Sequence, residues 1–215
     1  MTELASSIPN RFPIFPLRGA MLLPGGNLPL NIFEPRYLQM VRDAMQTDRV
    51  IGMVQPRDDS DEERIPELFR TGCVGRISNF EETDDGRLLI TLTGVCRFDI
   101  AEEHHVDTPY RQVTGDFARW RQDLQPAPPP QALKTSLSAV LKTYFDRHGI
   151  EADWDAIEAA PLAGLVTSLC MICPFEPGEK QVLLEAPDLE RQGQLLIALM
   201  EMETLAERGG SVARH

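Results

Sequence analysis

The stretch QDLQPAPPP, residues 122–130, divides this chain into two parts with different hydrophobic periods. Four prolines in nine positions hold the backbone semi-extended and deny it the N–H groups that a helix or a central strand needs. It therefore reads as a linker. Before it, apolar residues come in short runs with turn signals between them. After it, they recur at helical spacing.

The first part reads as strand-rich. RFPIFPL (11–17) is short, apolar and broken by prolines, which suits an edge or entry strand. VIGMVQP (50–56) is a buried-strand run, and GCVGRISNFEE (72–82) sets Cys73, Val74, Ile77 and Phe80 among small or polar residues. Asp85-Gly86 is a turn pair that joins 76–82 to 87–93. Gly94 is expected to break Leu88–Thr93 from Cys96–Ile100, and PYRQVTGDF (109–117) adds one more strand. One helix interrupts this pattern. Pro35 suits a first helical turn, and Tyr37, Val41, Ala44 and Met45 follow on one side, ending near Thr47. The acidic stretch PRDDSDEERIPE (56–67) is expected to be an exposed loop.

The second part reads as helical. Leu133, Leu137, Val140, Leu141, Tyr144 and Phe145 mark one amphipathic helix. Pro161 and Pro174 bound another. Asp188 can cap a last helix carrying Leu189, Leu195, Leu196, Leu199, Met202 and Leu205, which ends at Gly209-Gly210. The expected fold class is α+β: a β-rich part over 1–121, a linker over 122–130, a helical part over 131–208 and a loose tail over 209–215.

The formal charge is −12 and the pI near 4.8. Both parts are acidic, −7 before Ala118 and −5 from there on. Nucleic-acid binding depends on neutralising phosphates, so this balance argues against it. There is no run of about 18 apolar residues to span a membrane and no basic-then-apolar leader. A cytoplasmic location is expected.

Few residues carry chemistry. Cys170 and Cys173 form a C-x-x-C, but they close a helical run, whereas a redox pair sits at a helix N-terminus, where the dipole lowers a thiol pKa. A structural zinc would need two further ligands, and Cys73, Cys96, His104 and His105 lack the spacing. All four cysteines read as packed core, and the two histidines as solvent-exposed. No phosphate-binding glycine loop, dinucleotide fingerprint or hydrolase elbow occurs. Glu34-Pro35-Arg36-Tyr37 places an acid, a base and a phenol in succession. Without a nucleophile or metal motif nearby, the segment reads as a helix start: Glu34 at the N-terminus, Pro35 in the first turn, Tyr37 turned inward.

Together these segments resemble a known family. FPIFPLRGAMLLPGGNLPLNIFEPRYLQMVRDAM is similar to the opening of the Lon N-terminal, substrate-binding domain. The pattern lies on Phe15-Pro16-Leu17, Leu22 to Gly25, and Leu28 to Tyr37, with Phe33, Glu34, Pro35, Arg36 and Tyr37 as its densest part. GCVGRISNFEETDDGRLLITLTGVCRF carries the next block, including Gly86, Gly94, Arg97 and Phe98, and KQVLLEAPDLERQGQLL resembles the helical end. The likeness runs from about Arg11 to about Leu205. It implies a PUA-like β pseudo-barrel with one inserted helix, followed by a helical bundle.

It also implies a non-catalytic, stand-alone module that recognises unfolded polypeptide segments or a partner protein, with no cofactor and no metal. Full Lon proteases add an ATPase and a Ser–Lys peptidase, and neither motif occurs in this sequence. A small-molecule or RNA-binding PUA-like domain, or an uncharacterised hydrolase, is the alternative. Met21, Leu22 and Leu23 before the Pro24 turn, and Phe69 after the acidic stretch, are the candidate accessible apolar groups for binding.

Overall fold

A computed structural model describes residues 8–57, 66–125 and 131–210, the side chains of 131 and 206–210 excepted. Six strands come first: β1 (Arg11–Pro16), β2 (Asn27–Ile32), β3 (Val50–Val54), β4 (Thr71–Glu82), β5 (Leu88–His104) and β6 (Gln112–Asp116). Helix α1 (Pro35–Met45) lies between β2 and β3, and a 3-10 segment (Ala118–Leu124) follows β6. The helical part is α2 (Gln131–His148), α3 (Trp154–Ala159), α4 (Leu162–Ile172), α5 (Pro177–Leu184) and α6 (Leu189–Gly210). Most of the acidic stretch (58–65) and of the proline run (126–130), and the tail beyond 210, lie outside the described residues.

The strands run in the order β2-β5-β4-β3-β1-β6, and β5 also pairs with β6. Five strands thus close on themselves, and β2 is added along β5. Closure leaves fewer exposed backbone edges than an open sheet would. The β4–β5 hairpin turns at Asp85-Gly86 as expected, with Gly86 at φ +80°. β3 is buried along its whole length.

Two strand expectations are corrected. The first strand enters the sheet but is not at an edge: residues 11–13 pair with β6 and 14–16 with β3. Each residue there registers with one neighbour only, so Pro13 and Pro16 can sit in an inner strand. Gly94, in turn, does not end a strand. β5 continues through it for 17 residues. Its amide donates to Gly26 O at 2.8 Å, and its carbonyl accepts from Gly25 N at 2.9 Å. A β-carbon there would stand 2.0 Å from Leu23 O. Glycine is required because the 23–26 turn presses on the strand.

Inside the barrel, Phe12 and Phe98 meet edge to face with ring centres 4.9 Å apart. A second, larger cluster joins barrel residues such as Leu22, Tyr37, Ile51 and Leu92 to helical residues such as Leu137, Val166 and Leu196. Polar groups seal the junction. The buried Arg97 pairs with Asp123 of the 3-10 segment through Nη2 (2.6 Å) and Nε (2.9 Å). Its Nη1 donates to the carbonyls of Leu184 (3.0 Å) and Ala186 at the end of α5, where the helix dipole favours a cation. The guanidinium lies 4.1 Å from the Trp120 ring centre. Gln181 Nε2 donates to Thr71 O at 3.1 Å, and Lys180 Nζ to Gly19 O at 2.8 Å. Residues 122–124, assigned to the linker from sequence, are therefore part of a structured segment held against β5.

In the helical part, Asp188 caps α6 by accepting from Arg191 N at 2.8 Å. The buried face of α6 is Gln192, Gly193, Leu196, Met200 and Thr204. The apolar face expected from sequence is corrected at its end: Met202 and Leu205 are 62% and 58% exposed. Leu133 packs on Gly193 and Arg147 donates to Thr204 O, so α2 and α6 lie side by side in the same direction.

Candidate functional site

The N-terminus of α1, the end of β1 and the β5–β6 hairpin enclose a cleft of about 1190 Å³. Its walls include five prolines (16, 35, 56, 66 and 109) and the aromatic residues Phe33, Tyr37 and Tyr110. Pro35 shapes one wall. The residue before a proline is driven to extended backbone, and Glu34 is at φ −70°, ψ 132°. Ile32, which ends β2, points into the core, and Phe33 is left 63% exposed. Tyr37 turns inward as expected and stacks on Phe15 with ring centres 4.2 Å apart.

The charged groups in the cleft are tied to one another. Arg36 donates to Glu34 Oε2 from Nε (2.9 Å) and Nη2 (2.7 Å), and lies 4.6 Å from the Tyr37 ring centre. Arg111 forks onto Glu103 at 2.6 and 2.7 Å, and its Nη1 donates to Pro66 O at 2.9 Å. His104 Nε2 shares a hydrogen bond with Thr114 Oγ1 at 2.7 Å. Tyr110 donates to Asp43 Oδ2 at 2.7 Å, which anchors the hairpin to α1.

The two phenols of the wall hold their protons. Burial and the Asp43 hydrogen bond push the Tyr110 hydroxyl up to about 12. Burial likewise raises Tyr37 above the usual phenol value. Thr108, a hydroxyl group in the wall, spends its proton on Tyr110 O at 2.9 Å. What the wall presents to a ligand is its shape and the exposed Phe33 ring.

The cleft joins segments that look unrelated in the sequence, because Phe33–Tyr37 and His104–Arg111 lie some seventy positions apart. His105 is exposed as expected, whereas His104 is half-buried against Thr114. The candidate binding groups fare differently. Met21, Leu22 and Leu23 are 2%, 1% and 1% exposed, so they are core rather than accessible surface. Phe69 is half-buried with Arg57 over its ring, and it does not line the cleft. Gly86 lies at a hairpin tip, and Gly94, Arg97 and Phe98 belong to the interior. In the cleft wall the large exposed apolar group is Phe33, and its local signal is its place before Glu34-Pro35.

The cysteines are buried and free. Burial pushes the Cys96 and Cys173 thiols up to about 12, and it raises Cys73 and Cys170 as well. Among the described residues no cluster of three or more His, Cys, Asp and Glu could hold a metal ion. None of the described helices is long and apolar enough to cross a membrane.

Comparison with known proteins places this geometry. The profile of the ATP-dependent protease La (LON) substrate-binding domain matches residues 11–202. The chain belongs to that family. Curated relatives of this Lon-family chain include Lon protease 2 of Myxococcus xanthus, 26% identical over 200 residues, which are 90% of this chain and 24% of the relative. Lon protease of Cytophaga hutchinsonii is 28% identical over 204 residues, 91% of this chain and 24% of the relative. The chain thus spans about a quarter of the length of these relatives. Two solved structures share the fold. One is a Lon N-terminal domain protein from Xanthomonas campestris (24% identity, TM-score 0.64, 88% of this chain and 98% of that one). The other is the N-terminal domain of Mycobacterium avium complex Lon protease (14% identity, TM-score 0.65, 89% and 98%). The α+β fold, a closed barrel followed by helices, is therefore one this chain shares with Lon N-terminal domains.

Proposed function

We propose that this chain is a recognition module that holds exposed apolar polypeptide segments in the cleft between α1 and the β5–β6 hairpin, and that it does so without bond cleavage. The observation that carries this reading is Phe33: a large apolar side chain, 63% exposed, at the edge of a proline- and aromatic-walled cleft. Burying an aliphatic or aromatic side chain yields about 1.5–3 kcal/mol. A few such contacts, less the cost of ordering the peptide, correspond to roughly micromolar affinity. The prolines lack N–H groups, so side-chain contacts rather than a strand-like hydrogen-bond ladder would dominate.

The test is fluorescence anisotropy with a labelled, unstructured peptide containing several leucines and phenylalanines. Phe33→Ala is expected to weaken binding about tenfold, as loss of a central aromatic anchor does, with an unchanged melting temperature. Equal binding by both proteins would refute the reading.

A second reading, a small apolar ligand, is favoured by a separate pocket of about 390 Å³ lined by Arg76, Ser78, Thr93, Gly94, Val95, Asp123 and Leu124. Saturable quenching of Trp120, whose ring lies against the Arg97 guanidinium that pairs with Asp123, by a hydrophobic dye would support it, provided Phe33→Ala leaves that quenching unaltered.

A further inference from the structure

We infer that the cleft selects apolar segments flanked by basic residues and rejects those flanked by acidic ones; this rests on the peptide-binding role proposed above. Inside the cleft the fixed charges cancel. Arg36 is committed to Glu34, and Arg111 to Glu103 and the Pro66 carbonyl. A ligand carboxylate entering there would have to displace a glutamate already held at hydrogen-bond distance by the same guanidinium.

The rim is different. Glu67, Glu102 and Asp107 directly adjoin the wall residues Pro66, Glu103 and Val106, and all three are exposed. None has an arginine or lysine partner among the described residues. Glu102 comes no closer to a basic group than His104 Nδ1, at 3.8 Å. Arg57, next to the wall residue Pro56, is an exposed base placed the same way, with its guanidinium over the Phe69 ring. These four neighbours of the wall therefore leave an excess of acid over base around an interior whose Glu and Arg charges cancel, on a chain of net charge −12. Charges so placed act on whatever flanks the bound segment. They attract Lys and Arg and repel Asp and Glu, over a range set by the salt concentration.

The arrangement divides the work between two sets of groups. Phe33 and the pyrrolidine rings would supply contact area to any apolar core. Glu67, Glu102 and Asp107 would decide which chains bring that core near enough to bind. An unfolded segment rich in leucine and lysine fits both demands, and one rich in leucine and glutamate fits only the first.

Two peptides test this, identical in an apolar core and flanked by either three lysines or three glutamates. They are titrated into the protein near pH 8, above the usual histidine range. At low ionic strength the lysine-flanked peptide is expected to bind at least about tenfold tighter, and the ratio should shrink severalfold at about 0.5 M salt, where the screening length is only a few ångströms. The double variant Glu102→Gln/Asp107→Asn should reduce the ratio about threefold or more. The control Glu190→Gln/Glu201→Gln, which removes the same charge from α6, should leave it nearly unchanged.

Equal affinity for the two peptides, or equal effects of rim and α6 variants, would overturn the inference while leaving the peptide-binding role standing. A lysine-flanked peptide that binds Phe33→Ala as tightly as the parent protein would also overturn it, because the attraction would then be unrelated to the cleft. If neither peptide binds, the peptide-binding role itself fails.

Discussion

Two arginines in this molecule are placed in nearly the same chemical company with opposite results. Arg36 pairs with a carboxylate and lies over a tyrosine, at the cleft. Arg97 pairs with a carboxylate and lies over a tryptophan, at the junction of barrel and helices. The difference is water. The Arg36 and Glu34 side chains are 52% and 43% exposed, whereas those of Arg97 and Asp123 are 6% and 5% exposed. An exposed pair contributes little to stability and can rearrange. A buried pair cannot lose one partner without stranding the other. The junction therefore acts as a fixed weld, whereas the Arg36–Glu34 pair at the cleft stays solvated.

The largest effect should come from breaking the weld. Asp123→Ala leaves a buried guanidinium and the Arg97 N–H without their acceptor. A loss of about 3–5 kcal/mol is expected by urea denaturation, as for other broken buried pairs. A loss below about 1 kcal/mol would erase the contrast with Arg36. Gly94→Ala, where the turn meets β5, drives a methyl group against backbone and should cost about 1–3 kcal/mol or more.

High pH probes the interior next. In the folded protein Cys96, Cys173 and Tyr110 hold their protons up to about 12, whereas their ordinary values are 9.0, 9.0 and 10.0. The folded state then binds more protons than the unfolded one at alkaline pH. Stability from this source is complete below about pH 9 and falls as the pH rises toward 12. Denaturation midpoints measured from pH 8 to 11 should decline, and thiol reagents at pH 8 should label these cysteines only on unfolding.

The smallest effect belongs to the cleft. Glu34→Gln should change stability by less than about 1 kcal/mol, because the Arg36 pair is solvated. A drop as large as that from Asp123→Ala would mean that both pairs are structural.

The sequence made the order of elements readable because its signals are local. Asp85-Gly86 marks a hairpin, Pro35 a helix start, and Asp188 a helix cap, each through the backbone of a few neighbours. What it hid is non-local. Met21, Leu22 and Leu23 look like exposed loop residues, and only the fold of the 23–26 turn onto Gly94 buries them. Met202 and Leu205 extend an apolar stripe on paper, but α2 covers the face of Gly193, Leu196 and Met200 instead. The cleft could not be read at all, since its walls come from opposite ends of the barrel sequence. Arg97 looked like one motif letter among several. Its role depends on Asp123 and on carbonyls at 184 and 186, nearly ninety residues away.

The long strand β5 has a further consequence, which concerns the order of synthesis. It pairs with β2, β4 and β6, and β1 is completed only by β6. A chain emerging from the ribosome therefore cannot close its barrel until residues up to Asp116 are available. Phe12, which registers with Val113, must wait through about a hundred residues of synthesis, several seconds at ordinary translation speeds. During that interval this protein is itself a polypeptide with exposed apolar segments.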